Sequence, residues 1–293
     1  MAEARRSSRR GEWLLTLPSL VWLVVLFLVP SLVVVAIAFK PADPFGGLGP
    51  GWTLSTLESL GNPHYPVIIA RTVWYSVLTT LFCLLLATPM AYQMARAPVR
   101  WRGTLLLAVI VPFWTSFLVR IFAWKVVLHP DGALKHLLAA LHLVPPDASL
   151  LYNPAAVLLV LLYTELPFAI LPLYAAAEKF DFRLLEAARD LGASPLQAFV
   201  RVFLPGIRRG LLTAMLVTFV PALGAYIVPD LVGGPNSEMI GNKIAQRTFV
   251  DRNLPQASAL SALLGLAVLA PAGLTLLLDR RRQEDRRRAE EPA

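Results

Sequence analysis

The chain has 293 residues, of which 56% are hydrophobic and 16% charged, with a mean hydropathy of +0.60 and a formal charge of +8. Such a composition excludes an ordinary soluble domain of this length, and long uncharged runs point to membrane helices. The single cysteine, Cys83, excludes an intrachain disulfide framework or a Cys-based metal site.

Residues 1–12 form a polar N-terminal tail carrying Arg5, Arg6, Arg9 and Arg10. Trp13 to Phe39 is nearly uncharged and long enough for a first span. A basic start before an apolar run also suits a signal peptide, with Ala36-Ile37-Ala38 as a cleavage site. The run is about twice the length of a signal core, so it is expected to stay as a helix. Lys40 to Pro66 reads as a Pro/Gly-rich loop, Val67 to Met94 as the second span, and Ala95 to Gly103 as a tight basic turn. Thr104 to Leu128 is expected to be the third span. The following loop holds a short helix near Ala133 to Leu143, and Pro154 to Ala177 is the fourth span. Residues 178–209 are polar, Gly210 to Val232 is the fifth span, and Gln256 to Leu278 the sixth. Residues 279–293 form a charged tail, leaving 13–278 as one membrane domain. The expectation is an all-α integral membrane protein with six spans.

Lys and Arg set the orientation. Nineteen of the 27 fall in the two tails, the 95–103 turn and the 178–209 loop; five fall in the alternate loops. Basic residues stay inside, so both termini and the 178–209 loop are predicted to be cytoplasmic. The excess charge is then orientation bias and contact with anionic lipid, not a nucleic-acid footprint.

The polar loop holds the densest local signal. Glu186 to Pro205 reads EAARDLGASPLQAFVRVFLP. Asp181 can cap a first helix, and Gly192 can end it in the left-handed conformation. Ser194, Pro195 and Gln197 then open a second helix with a capping box. Leu196, Phe199, Val200 and Phe203 recur at helical spacing as its apolar face, and Leu184, Ala188 and Leu191 give the first helix a smaller one. Pro205 is expected to end the pair.

Glu186-Ala187-Ala188, Gly192, and Val202-Phe203-Leu204-Pro205 at this spacing resemble the EAA signature of ABC importer permeases, with Val202 standing where that pattern has Ile. The resemblance implies the type I importer permease fold and a non-catalytic subunit without cofactor or metal. Glu186, Ala187, Ala188, Gly192, Ser194, Val202, Leu204 and Pro205 would couple it to an ATPase. It implies a complex with two ATPase subunits, a second permease chain and an extracytoplasmic solute-binding protein, in the bacterial inner membrane. The chain has no GxxxxGK[ST] cradle of its own for ATP. It also shows no nucleophile–base constellation, and its four histidines are scattered. Segments 112–120, 166–172, 224–235 and 239–241 further resemble the spermidine/putrescine-type subgroup.

Two features concern a path for solute. Pro167 and Pro172 in the fourth span, and Pro221, Gly224 and Pro229 in the fifth, predict interrupted helices. Broken backbone in a membrane lines a wet cavity or packs on protein, and both readings stay open. Glu165 falls near the middle of the fourth span, about 16 Å deep at 1.5 Å per residue, and Arg120 about 12 Å deep in the third, a difference that an Arg side chain covers. The pair forms either a structural ion pair or, with Tyr226 and Asp230, part of a path for a cation. An ion-coupled transporter without an ATPase is the rival class; it would show coupling acids and an inverted repeat, and no clear repeat is visible. A membrane-anchored scaffold would not need proline-broken spans.

Overall fold

The computed structural model describes residues 16–145 and 147–269. The tails predicted at 1–12 and 279–293, the start of the first span and the end of the sixth lie outside the described residues. Among the described residues every extended element is helical, and the β content is one isolated bridge between Ala42 and Leu48. Among the described residues three helices are long and apolar enough to cross a membrane: α1 (Thr16–Ile37), α2 (His64–Arg96) and α6 (Pro154–Glu178). Two bent pairs bring the number to at most five.

The chain divides into two compact units, 1–65 with 243–293, and 66–242. In the first, α1 leads into a loop tied to itself by backbone bonds such as Thr53 N to Phe39 O (2.8 Å). Lys40 Nζ lies 4.3 Å from the Trp52 ring centre. The apolar helix Leu254–Leu269 opens with the Gln256 amide donating to the Tyr65 hydroxyl at 2.8 Å.

The second unit is built on α2 and α6. Cys83, Ala87, Ala91 and Ala95 recur every fourth residue on α2 and are buried with Ala169, Leu173 and Ala177 of α6. Small residues let two helix backbones approach closely where lipid supplies no hydrophobic drive. The buried hydroxyls of α2 satisfy themselves: Thr72, Ser76, Thr80 and Thr88 each donate to the carbonyl four residues back at 2.6–2.8 Å. Thr79 alone of this set lacks a partner.

Three expectations about the spans need correction. Thr104 to Leu128 is not one helix: α3 (Val99–Ile110) tightens into a 3₁₀ turn through Trp114, and α4 (Phe117–Val127) leaves at 89°. Pro112 lacks the donor that would continue the ladder, and Thr115 and Ser116 are extended, with ψ of 151° and 135°. The straight-helix depth for Arg120 therefore does not hold. The fourth span, by contrast, is not interrupted, since α6 runs unbroken through Pro167 and Pro172. The loop between α4 and α6 holds α5 (Ala133–Ala140), as expected. Its buried Lys135 donates to the carbonyls of Pro145 and Ala148.

The residues between α6 and the fifth span fold as α7 (Arg183–Asp190) and α8 (Pro195–Gly206). The fifth span is α9 (Arg208–Leu223), an unwound stretch at Gly224–Tyr226, then α10 (Ile227–Val232), with α11 (Ile240–Ala245) after a loop. Pro221 falls in the last turn before the break.

α9 packs along α6, and Gly210 sets their approach. A Cβ at Gly210 would collide with the Ala176 methyl and lie 3.2 Å from the Pro172 carbonyl. Gly210→Val is therefore expected to cost roughly 1–3 kcal/mol through overpacking. Thermal unfolding in detergent should show a lower midpoint for Gly210→Val, with Gly210→Ala between it and wild type.

Candidate functional site

The α7–α8 hairpin forms where the sequence places it. The N-cap of α7 is Phe182, without a side-chain cap bond, and not Asp181, whose carboxylate accepts from Arg183 N at 3.0 Å one residue earlier. At the other end Gly192 has φ +89°, Gly192 N donates to Arg189 O (2.9 Å) and Ala193 N to Ala188 O (3.0 Å). These are the paired bonds of a Schellman ending. Ser194 Oγ accepts from Gln197 N (3.2 Å) while Gln197 Oε1 accepts from Ser194 N (2.9 Å), completing the capping box. Pro205 does not end the pair. It sits in the last turn of α8, and the chain bends by 74° two residues later, at Ile207.

The apolar face divides in two. Phe203 is fully buried, and a π-turn over Phe199–Phe203 stacks its ring on Phe199 at 5.2 Å. Phe180 and Phe182, just before α7, pack on Phe203 at 5.2 and 6.2 Å. Tyr92 of α2 meets Phe203 edge-on at 5.0 Å. This aromatic wall holds the hairpin from behind. Edge-to-face pairs contribute about 0.5–1.5 kcal/mol each beyond area burial. Leu185, rather than Leu184, turns inward. The other apolar side chains project outward: Leu191 is 89% exposed, Leu196 72%, Leu184 52% and Val200 48%. Periodicity groups these residues by angle around each helix, without showing which side is covered.

Glu186, Ala187, Gly192, Ser194 and Pro205 are exposed, and Ala188, Val202 and Leu204 half-buried. Beside them, Glu178 at the end of α6 accepts from the Tyr174 hydroxyl (3.0 Å) and lies 3.7 Å from the Arg102 guanidinium. The entry to the hairpin is thereby tied to the first turn of α3.

The candidate path residues are not brought into one cluster. Glu165 is buried on α6, and one carboxylate oxygen has no partner. Arg120 does not pair with it: its guanidinium lies 4.3 Å from the Phe113 ring centre, with Nε and Nη1 unpartnered. The bend between α3 and α4 places Arg120 against that ring. Pro167 is half-buried inside unbroken α6. Tyr226 closes the break in the fifth span, and Asp230 is exposed one turn beyond.

Asn242 and Thr72 are functional candidates that sequence reasoning missed. Asn242 Nδ2 donates to Tyr226 O (2.8 Å), and its Oδ1 accepts from Met239 N (3.1 Å). Thr72 Oγ1 accepts from Ile240 N at 2.8 Å across 168 residues of chain. Among the described residues no group of three His, Cys, Asp or Glu could hold a metal ion.

Membrane-length helices, with a capped polar hairpin between two apolar helices, define a multi-pass membrane protein of the permease type. The chain belongs to the binding-protein-dependent transport system inner membrane component family, whose profile matches residues 73–283. It is 39% identical over 248 residues to the spermidine/putrescine transport system permease protein PotB of Haemophilus influenzae, covering 85% of this chain and 86% of that one. It is 36% identical over 257 residues to PotB of Escherichia coli K12, covering 88% and 92%. The inner membrane ABC transporter permease protein YdcU of the same organism is 36% identical over 262 residues, covering 85% and 83%. A chain of a bacterial ABC transporter that imports alginate shares the fold, with a TM-score of 0.68 at 18% identity, covering 95% of this chain and 99% of that one.

Nothing lies within 4 Å of a Cβ built at Gly192, so strain from the positive φ is what a substitution there adds. Gly192→Val is expected to cost about 1–2 kcal/mol. Gly192→Asn should cost less, because Asn tolerates the left-handed region. Thermal midpoints of the two variants, measured side by side, check the ranking.

Proposed function

We propose that this chain is one membrane subunit of an ATP-driven importer for a polyamine, spermidine or putrescine, or a related small solute. The observation that carries the reading is the hairpin: stiffly backed by aromatic rings, it presents Leu184, Leu191, Leu196 and Val200 outward on a loop that charge counting assigns to the cytoplasm. Apolar side chains presented that way are suited to burial in a partner. The match of Glu186-Ala187-Ala188 and Gly192 to the importer signature supports an ATPase as that partner. Identity to the PotB proteins supports the solute class.

The chain crosses a bacterial inner membrane six times with both termini inside, contacts anionic lipid, and pairs with a second, different permease chain. Two ATPase subunits dock below. An extracytoplasmic binding protein delivers solute; a structural neighbour, a bacterial alginate ABC transporter, is solved in complex with an alginate pentasaccharide-bound periplasmic protein. ATP binding draws the two hairpins together and switches the path from inward to outward opening. The ATP chemistry belongs to the partners. An ion-coupled transporter would have no use for the exposed hairpin leucines.

Co-purification tests this. In mild detergent the ATPase subunits should accompany the wild-type permease pair. Leu191→Glu with Leu196→Glu should keep expression and thermal midpoint, since both side chains are exposed, and lose the ATPase, because the new charges would have to be buried. A wild-type permease that transports with no ATPase bound would defeat the reading.

Glu165, with Tyr226 and Asp230 towards the outer end, attracts the cationic solute along the path. The support is a buried carboxylate with an unpartnered oxygen and no bond to Arg120. Glu165→Gln should fold with an unchanged midpoint while kcat/KM for spermidine uptake falls about tenfold, equivalent to roughly 1.4 kcal/mol. Adding Arg120→Gln should restore nothing. Restoration by the second change would instead reveal an ion pair formed during the cycle.

A further inference from the structure

α2 is gripped at both ends, by different machinery. At its inner end Tyr92 meets Phe203, Phe199 and Phe182 edge-on at 5.0, 5.3 and 5.9 Å, and its hydroxyl accepts from Arg96 Nη1 at 2.7 Å. The contacts run directly into both arms of the hairpin. At its outer end Thr72 accepts from the backbone N–H of Ile240, and Arg71 Nη1 donates to Glu238 O at 3.4 Å. The segment they hold is the one that closes the break in the fifth span. Asn242 donates to the Tyr226 carbonyl, and Gly241 sits so close to the break that a Cβ there would lie 2.6 Å from the Ala225 carbonyl. The same segment thus touches α2 on one side and the unwound stretch on the other.

Thr72 and Tyr92 are twenty residues apart, so one helix carries the two grips across about 30 Å. Between them the described hydrogen bonds from α2 to other elements reduce to one weak contact, the Cys83 thiol to Leu162 O at 3.7 Å. The middle of α2, with Cys83, Ala87 and Ala91, is buried against α6, and the unbroken helix carries a displacement from one grip to the other with little internal deformation.

We infer that Tyr92 and Thr72 are positioning residues that make α2 a connecting rod, coupling movement of the hairpin to the geometry of the Gly224–Tyr226 break. This rests on the hairpin being the ATPase dock. It assigns no contact with solute or nucleotide to either residue. Their work is to convert displacement at the inner face into a change in the unwound stretch where Tyr226 sits.

The test uses the whole transporter in proteoliposomes, with permease pair, ATPases and binding protein. ATP hydrolysis and uptake of labelled spermidine are measured on the same vesicles. Tyr92→Leu removes the ring contacts and keeps an apolar body; Thr72→Val removes the acceptor at constant shape. Both are expected to retain bound ATPase and hydrolysis while uptake per ATP falls about tenfold, the size of an ordinary coupling free energy. Tyr92→Phe and Thr72→Ser, which keep the ring and the hydroxyl, should restore the wild-type ratio. A merely structural role would lower the amount or thermal midpoint of the complex and leave uptake per ATP intact in what survives. That result in Tyr92→Leu, or in Thr72→Val, overturns the inference. Should the ATPase fail to bind even the wild-type pair, the importer reading falls, and the inference falls with it for a separate and visible reason.

Discussion

A backbone amide or carbonyl released from its helix inside a bilayer finds no water, and this constraint shapes the second unit. The chain breaks its helices at Thr115–Ser116 and at Gly224–Tyr226. In each case a nearby side chain donates to a carbonyl at the break, and the Tyr226 carbonyl also accepts from Asp230 N at 3.0 Å. Thr115 Oγ1 returns to Pro112 O at 2.6 Å, and Asn242 reaches Tyr226 O. The segment that supplies Asn242 must itself be fixed, and Thr72 and Arg71 fix it. One break therefore recruits a loop, and the loop recruits a helix on a distant part of the chain.

The hairpin is made differently. Its shape comes from local chemistry, with a left-handed glycine, a capping box and an Asx-type start, all within contacts of a few residues. Its orientation comes from long-range packing of rings on Tyr92. The consequence is a surface element whose shape does not depend on a partner.

That contrast explains which parts were legible from sequence. Ser194, Gln197 and Gly192 could be assigned because capping and left-handed turns depend on neighbours in the chain. Apolar runs located α1, α2 and α6 because hydropathy sums over a helix. Proline gave an ambiguous signal: α6 absorbs Pro167 and Pro172 without interruption, whereas the region around Pro112 bends sharply. A missing N–H permits a break, and the surrounding packing decides whether one forms. The Arg120–Glu165 pair failed for a related reason, since its depth argument assumed a straight third span. Thr72 and Asn242 carried no local signal at all. A threonine in an apolar helix announces nothing about an amide donor 168 residues away.

The self-bonded hydroxyls of α2 have a mechanical consequence. Thr72, Ser76, Thr80 and Thr88 are buried, yet each donor is spent on its own helix. A polar face built from interhelical bonds would have to break them one by one before α2 could shift its register against α6. Here a shift costs repacking of small side chains and little hydrogen bonding. A register shift would break none of these bonds, so the face is polar in composition yet offers α6 no hydroxyl bond to hold it in place.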